Sequence, residues 1–202
     1  MKILAFVDTH SDIEALRALA GRASKEKVDA LICAGDISNF GIGLNQLVSI
    51  LDIGVPLYII PGNHETAAQV RTLEKKFDFV HDIHLKSKKI DNLLIIGCGG
   101  GGFSPFNTPF EKSESKFAEE LRKFKDQKTR KCILVSHAPP YDTHLDELYN
   151  EHSGVRSISQ FIQKEQPDLC ICGHFHENAG KKDKLGKTKI INPGTKGAIL
   201  EI

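Results

Sequence analysis

The chain has 202 residues, 40% hydrophobic and 26% charged, a balance that suits a soluble globular protein folding as a single domain over residues 1–202. Its net charge of +1 excludes a global pull toward nucleic acid or an acidic membrane. No apolar run reaches the ~18 residues that a membrane helix needs.

Residues 1–7 read as a core strand rather than a leader peptide, because the apolar run is short and no small-residue cleavage site follows. The protein is therefore expected in the cytoplasm. The strand ends at Asp8-Thr9-His10. Ser11 then predicts a helix cap, with Glu14 completing a capping box and Ile13, Leu16, Leu19, Ala20 and Ala23 facing inward. Residues 28–34 rise as a second apolar run and stop at Gly35-Asp36. Such a run reads as a buried parallel strand, which puts Asp36 at the carboxyl end of a sheet, where open α/β folds hold their ligands. A helix through Leu44, Leu47, Val48 and Leu51 is stopped by Gly54 and Pro56. The strand at 57–60 leads into Pro61-Gly62-Asn63-His64-Glu65, and a helix with Val70, Leu73 and Phe77 inward follows. Glu65 is read first as the start of that helix, with tuning of the neighbouring His64 as the alternative.

Beyond residue 78 the pattern predicts short antiparallel strands at 79–80, 83–85 and 93–96, with His81 and His84 on a surface edge. Residues 97–110 form an irregular glycine-rich loop. Its G-x-G-x-x-G spacing would mark a dinucleotide site only if a helix opened there; Pro105 and Pro109 argue against that, which leaves a loop bordering the active site or a plain structural loop. A helix through Phe117, Leu121 and Phe124 comes next, then a strand at 132–135 ending at Ser136-His137. The loop after it holds Pro139-Pro140, His144 and His152, with His152 on the surface near Arg156 and a helix start that Ser153 could cap. That helix carries Val155, Ile158 and Ile162. The strand at 168–172 ends at Gly173-His174-Phe175-His176. Lys181, Lys182, Lys184, Lys187 and Lys189 mark a solvated hairpin, and 190–194 with 198–202 read as two strands around a turn. The five cysteines (Cys33, Cys98, Cys132, Cys170 and Cys172) contain no Cys-x-x-Cys pair and fit buried thiols in a reducing compartment.

Five strand endings thus deliver Asp8 and His10, Asp36, Asn63 and His64, His137, and His174 and His176 to one rim. The set holds imidazoles, carboxylates and an amide but no thiolate, which suits manganese, iron, zinc, cobalt or nickel. It is larger than one tetrahedral ion takes. It matches two ions ~3.5–4 Å apart that share a bridging carboxylate, the clamp for in-line displacement at phosphorus.

In order, Asp8-Thr9-His10, Gly35-Asp36, Gly62-Asn63-His64-Glu65, His137 and Gly173-His174-Phe175-His176 resemble the five motifs of the calcineurin-like metallophosphoesterase family. The resemblance covers nearly the whole chain. It implies an α/β fold of four layers, an αββα sandwich of two mixed β-sheets packed together with helices outside and the metal site at the carboxyl ends of strands. It implies one ion on Asp8, His10, Asp36 and His176, and a second on Asp36, Asn63, His137 and His174, with Asp36 bridging. His64 would be catalytic rather than a ligand. The implied cofactors are two divalent transition-metal ions, manganese first, with iron, zinc, nickel or cobalt as alternatives. The implied activity is hydrolysis of phosphodiesters or phosphomonoesters by a metal-activated hydroxide, on a small phosphate-ester substrate. Asn192-Pro193-Gly194 is similar to a turn near the end of compact members. Ser11 stands where many members have glycine, which bears on the substrate opening. Two other readings are a protein-binding scaffold, as in a retromer subunit of this fold, and a nuclease. The intact ligand positions favour an enzyme over a scaffold, and the near-neutral charge disfavours a nuclease.

Overall fold

The computed structural model describes residues 1–101, 104, 106, 108–126 and 129–202. The first half runs β1 (Lys2–Phe6), α1 (Ile13–Glu26), β2 (Ala30–Cys33), α2 (Leu44–Ser49), β3 (Leu57–Ile59), α3 (Ala67–Lys76) and β4 (Val80–Asp82). The middle holds β5 (Lys86–Ile90), β6 (Leu93–Cys98), α4 (Thr108–Phe124) and β7 (Lys131–Ser136). A small ribbon of β8 (Glu147–Leu148) and β9 (Glu151–His152) precedes α5 (Arg156–Glu165) and β10 (Leu169–Ile171). The chain closes with β11 (Lys182–Leu185), β12 (Thr188–Ile191) and β13 (Ala198–Glu201).

Two mixed sheets result, ordered β13-β1-β2-β3-β4 and β11-β12-β10-β7-β6-β5. Alternation along the strands explains the four layers. Ile3, Ala5 and Val7 pack against Ile133, Val135 and Ile171 of the other sheet, while Leu4 and Phe6 pack against Leu16 and Leu19 of α1. On the second sheet, Leu94, Ile96, Cys132 and Leu134 turn outward to Phe117, Leu121, Phe161 and Ile162 of α4 and α5. The strands β1, β2, β3, β6, β7 and β10 thus bury both faces, one on a sheet and one on helices, which is why each reads as a continuous apolar run. All five cysteines are buried thiols.

Register carries the strand ends to a common rim. Phe6 pairs Cys33 and Cys33 pairs Ile59 in the first sheet; Val135 pairs Ile171 in the second. Asp8, Asp36 and Asn63 therefore leave the first sheet side by side, facing His137 and His174 from the second.

Several local expectations are corrected. Asp12, not Ser11, caps α1 by accepting the Ala15 N–H at 2.9 Å, and Ile13 is exposed. The Ser11 hydroxyl accepts the Asn39 N–H instead. Strand β4 is parallel to β3, because α3 is a crossover that returns the chain to the same end of the sheet. Residues 83–85 are not a strand; the antiparallel partner of β6 is β5. Val155 precedes α5 with no side-chain cap, so Ser153 has no such role. The lysine hairpin exists as β11–β12, but the final two strands are not a hairpin. β12 lies in the second sheet and β13 crosses to the first, where it pairs antiparallel with β1 at the sheet edge. The crossing passes Gly194, whose carbonyl accepts the Val7 N–H. Of the 97–110 loop, residues 102, 103, 105 and 107 lie outside the described residues. His84 is half-buried and accepts the Gly99 N–H on Nδ1 at 2.9 Å, so it braces that loop rather than an open edge.

Candidate metal centre

Backbone at the rim is held in a conformation that side chains rarely adopt. Asp8 (φ 58°), His10 (φ 43°), Asp36 (φ 51°) and His174 (φ 71°) all lie in the left-handed region, an expense found at sites whose geometry matters. Hydrogen bonds between strand ends enforce it: the Asp8 N–H donates to Gly35 O at 3.1 Å and the His10 N–H to Asp36 O at 2.9 Å. Two glycines allow the close approach. A Cβ on Gly35 would stand 2.5 Å from the Gly62 nitrogen, and one on Gly62 would stand 2.0 Å from Asp36 Oδ1. The glycines before Asp36 and Asn63 are therefore a packing requirement between neighbouring loops.

Polar atoms converge without enough protons among them. The His137 Nδ1–H donates to the Ala34 carbonyl at 2.9 Å, which leaves Nε2 turned inward. That nitrogen faces Asn63 Oδ1 at 2.9 Å and Asp36 Oδ2 at 3.3 Å, two acceptors. His10 is oriented likewise. Asn39 Nδ2 donates to the His10 carbonyl, which turns Asn39 Oδ1 toward His10 Nδ1 at 3.2 Å. His10 Nε2 then meets His176 Nε2 at 3.0 Å and lies 3.7 Å from Asp36 Oδ2. Asp8 Oδ2 accepts the His174 N–H at 2.9 Å, while the buried Asp8 Oδ1 has no hydrogen-bond partner. Among the described residues, three sets of side chains each bring one donor atom within 4.8 Å of the others: Asp8–His10–His176, His10–Asp36–His64 and Asp8–Asp36–His137. Such a cluster of lone pairs is suited to a cation. The residues present fit divalent metal.

Electrostatics follow. Burial favours the neutral form of both carboxyls, and it pushes Asp8 up. At Asp36 the His137 imidazole and the His64 N–H outweigh burial and hold the carboxyl down to about 2. Burial opposes charge on His137, but the Asp36 carboxylate beside it outweighs burial and raises the imidazole above its ordinary range. Burial, with His137 next to it, presses His174 down to about 4, leaving a neutral imidazole.

The structure brings all seven predicted ligands and His64 to this rim. Asn63 enters through His137, and the His174 ring lies 5.2 Å from the His137 ring. His64 donates its N–H to Asp36 Oδ1 at 2.8 Å, stacks on Phe40 at 4.4 Å and meets His10 edge-on at 4.6 Å. His152 is exposed as expected, with Nδ1 2.7 Å from the buried Asp146 carboxylate; that carboxylate also accepts the N–H groups of Thr143 and Gly154 and braces its loop. The Arg156 guanidinium lies over the Tyr141 ring.

Glu65 has a larger role than starting a helix. Thr66 caps α3 through a capping box with Gln69. The buried Glu65 carboxylate accepts the N–H groups of Asp36 at 3.0 Å, Gly62 at 3.1 Å and Ser38 at 2.8 Å, and the Ser38 hydroxyl at 2.7 Å. It ties the two loops that carry Asp36 and Asn63. Ser38 and Asn39 extend this support, and polar residues directly after Asp36 were the signal that could have found them. Glu65→Ala should cost about 3 kcal/mol or more, because three buried N–H groups lose a charged acceptor. Urea unfolding of metal-free protein measures it; a loss under about 1 kcal/mol would mean that water replaces the carboxylate.

A profile described as calcineurin-like phosphoesterase matches residues 1–178. The uncharacterized protein MJ1162 of Methanocaldococcus jannaschii is 34% identical over 203 residues, spanning 97% of this chain and 89% of that protein. A probable glycerophosphodiester phosphodiesterase of Arcobacter nitrofigilis, GpdQ, is 28% identical over 169 residues, spanning 75% of this chain and 58% of that protein. Among solved structures, TT1561 of Thermus thermophilus superimposes with a TM-score of 0.77 at 19% identity, over 98% of this chain and 93% of that chain.

Proposed function

Because the chain belongs to the calcineurin-like phosphoesterase family, we propose that it hydrolyses phosphate esters with two divalent transition-metal ions, acting as one domain over residues 1–202. The observation that carries this reading is the set of lone pairs facing one another, above all the unpartnered Asp8 Oδ1 and the His10 and His176 Nε2 atoms 3.0 Å apart. Asp8, His10, Asp36 and His176 would hold one ion, and Asp36, Asn63, His137 and His174 the other. Ions bound there supply Lewis acidity, which lowers the pKa of water and neutralises charge at phosphorus.

The chain's own groups do the rest. Asn39 and the Ala34 carbonyl fix the tautomers of His10 and His137, so that Nε2 of each points inward. Glu65 holds Asp36 and Asn63 in register. His64, which lies beside His10 and Asp36, would donate a hydrogen bond to the phosphoryl group and a proton to the leaving oxygen.

Phosphodiesters are the favoured substrate class. His176 is exposed and the Asn63 edge is open, leaving room for a second ester group. The Arcobacter relative, named as a probable phosphodiesterase, points the same way. Protein loaded in turn with manganese, iron, zinc, nickel and cobalt should hydrolyse bis(p-nitrophenyl) phosphate at least as fast as p-nitrophenyl phosphate. Activity on the monoester alone would overturn the diester preference, and no hydrolysis of either with any metal would overturn the function.

A further inference from the structure

The segment after Asp36 runs Ile37-Ser38-Asn39-Phe40-Gly41-Ile42-Gly43. Its apolar residues divide sharply: Ile37 is fully buried, yet Phe40 is 72% exposed and Ile42 73% exposed. A singly exposed apolar residue is ordinary. What is not ordinary is the backbone that exposes Phe40. Its φ is 56°, in the left-handed region, where a bulky aromatic residue is a genuine outlier.

This conformation is held by the same residues that hold the site. The Ser38 N–H and hydroxyl donate to Glu65, and the Gly41 N–H donates to Ser38 Oγ at 3.0 Å. Asn39, just before Phe40, donates its N–H to Ser11 Oγ and its amide to the His10 carbonyl, both at 2.9 Å. On the other side Gly41 packs against the Gln69 side chain of α3, in a left-handed backbone conformation (φ 77°). Phe40 is thus fixed at both neighbours to Glu65 and His10. It is not the loose tip of a loop.

One face of its ring lies on the His64 imidazole, with centroids 4.4 Å apart and planes inclined at 27°. The rest of the ring is open to solvent. From Phe40 the rings step 4.4 Å to His64 and 4.6 Å to His10, a candidate ligand. A phosphoryl group seated on the donor atoms would carry its organic substituent past the exposed part of Phe40.

We propose that Phe40 is a specificity-determining residue, an apolar platform that binds the organic group of the phosphoester and favours aromatic groups over small alkyl groups. This rests on the reading of the rim as a phosphoesterase site. Burying a substituent against an aromatic ring is worth about a factor of 10 in affinity. Packing His64 in place is the competing role, and it predicts no dependence on the substituent.

Non-hydrolysable phosphonates separate the two. With manganese-loaded protein, and at a pH where both are dianions, calorimetry should show phenylphosphonate binding about 10-fold tighter than methylphosphonate. Phe40→Ala should bring that ratio close to one by weakening phenylphosphonate alone. Phe40→Asn, whose side chain suits the left-handed backbone, should do the same and so excludes a folding effect. A ratio near one in the parent protein would overturn the platform. So would a ratio that survives both substitutions, or an equal weakening of both phosphonates. Binding of neither phosphonate to the parent protein would instead overturn the phosphoesterase reading itself, and the platform with it.

Discussion

Asp36→Asn should abolish hydrolysis, by about 10³-fold or more, a larger loss than follows from removing one hydrogen-bond donor at a transition state. Asp36 is buried, its carboxyl is held down to about 2, and it takes part in two of the three donor sets. Asparagine is the informative replacement. It tolerates the left-handed backbone at φ 51° and keeps an oxygen for the His64 N–H, so shape is retained while the charge is lost. Elemental analysis of the metal-loaded parent protein should give close to two ions per chain, and the variant should fall to one or fewer. Metal should also raise the melting temperature of the parent and not of the variant, because an ion that binds only the folded chain stabilises it by mass action. A parent ratio that never exceeds one in any metal would end the dinuclear proposal. A variant that retains two would remove Asp36 from the bridging position.

The second large effect is expected at His64. If this imidazole protonates the leaving oxygen, its loss matters most when that oxygen is a poor leaving group. His64→Ala should lose ~10²–10⁴-fold on alkyl or nucleoside esters, the usual contribution of a general acid, and less on nitrophenyl esters. Both metals should remain. An equal loss on the two ester types would reduce His64 to electrostatic or positioning work, and a loss of metal would make it a ligand. The last outcome has a structural basis, since one His64 ring nitrogen falls within the donor set of His10 and Asp36. The Phe40 ring rests on the same imidazole, so the phosphonate ratio of His64→Ala should be measured alongside its rates.

The sequence alone determined the α/β class, the four layers through the family resemblance, and the residues that stand at strand ends. These are local matters. An apolar run bounded by glycine reads as a doubly buried strand whatever its partners, and the residue after it must stand at a sheet's carboxyl edge. Tertiary structure alone decided which strands pair: β4 lies parallel to β3 because a helix intervenes, and β13 leaves its neighbour for β1. It alone decided that Asp12 rather than Ser11 caps α1, because Ser11 is drawn to Asn39, 28 residues away. Glu65, which looks like a helix start, is the clamp for backbone 27 and 29 residues distant, and Phe40, an apolar side chain, stands exposed against His64. Periodicity reports how much of a residue is buried by its own element. A hydrogen-bond partner or an exposed ring face depends on which remote segment arrives beside it, and spacing along the chain does not encode that distance.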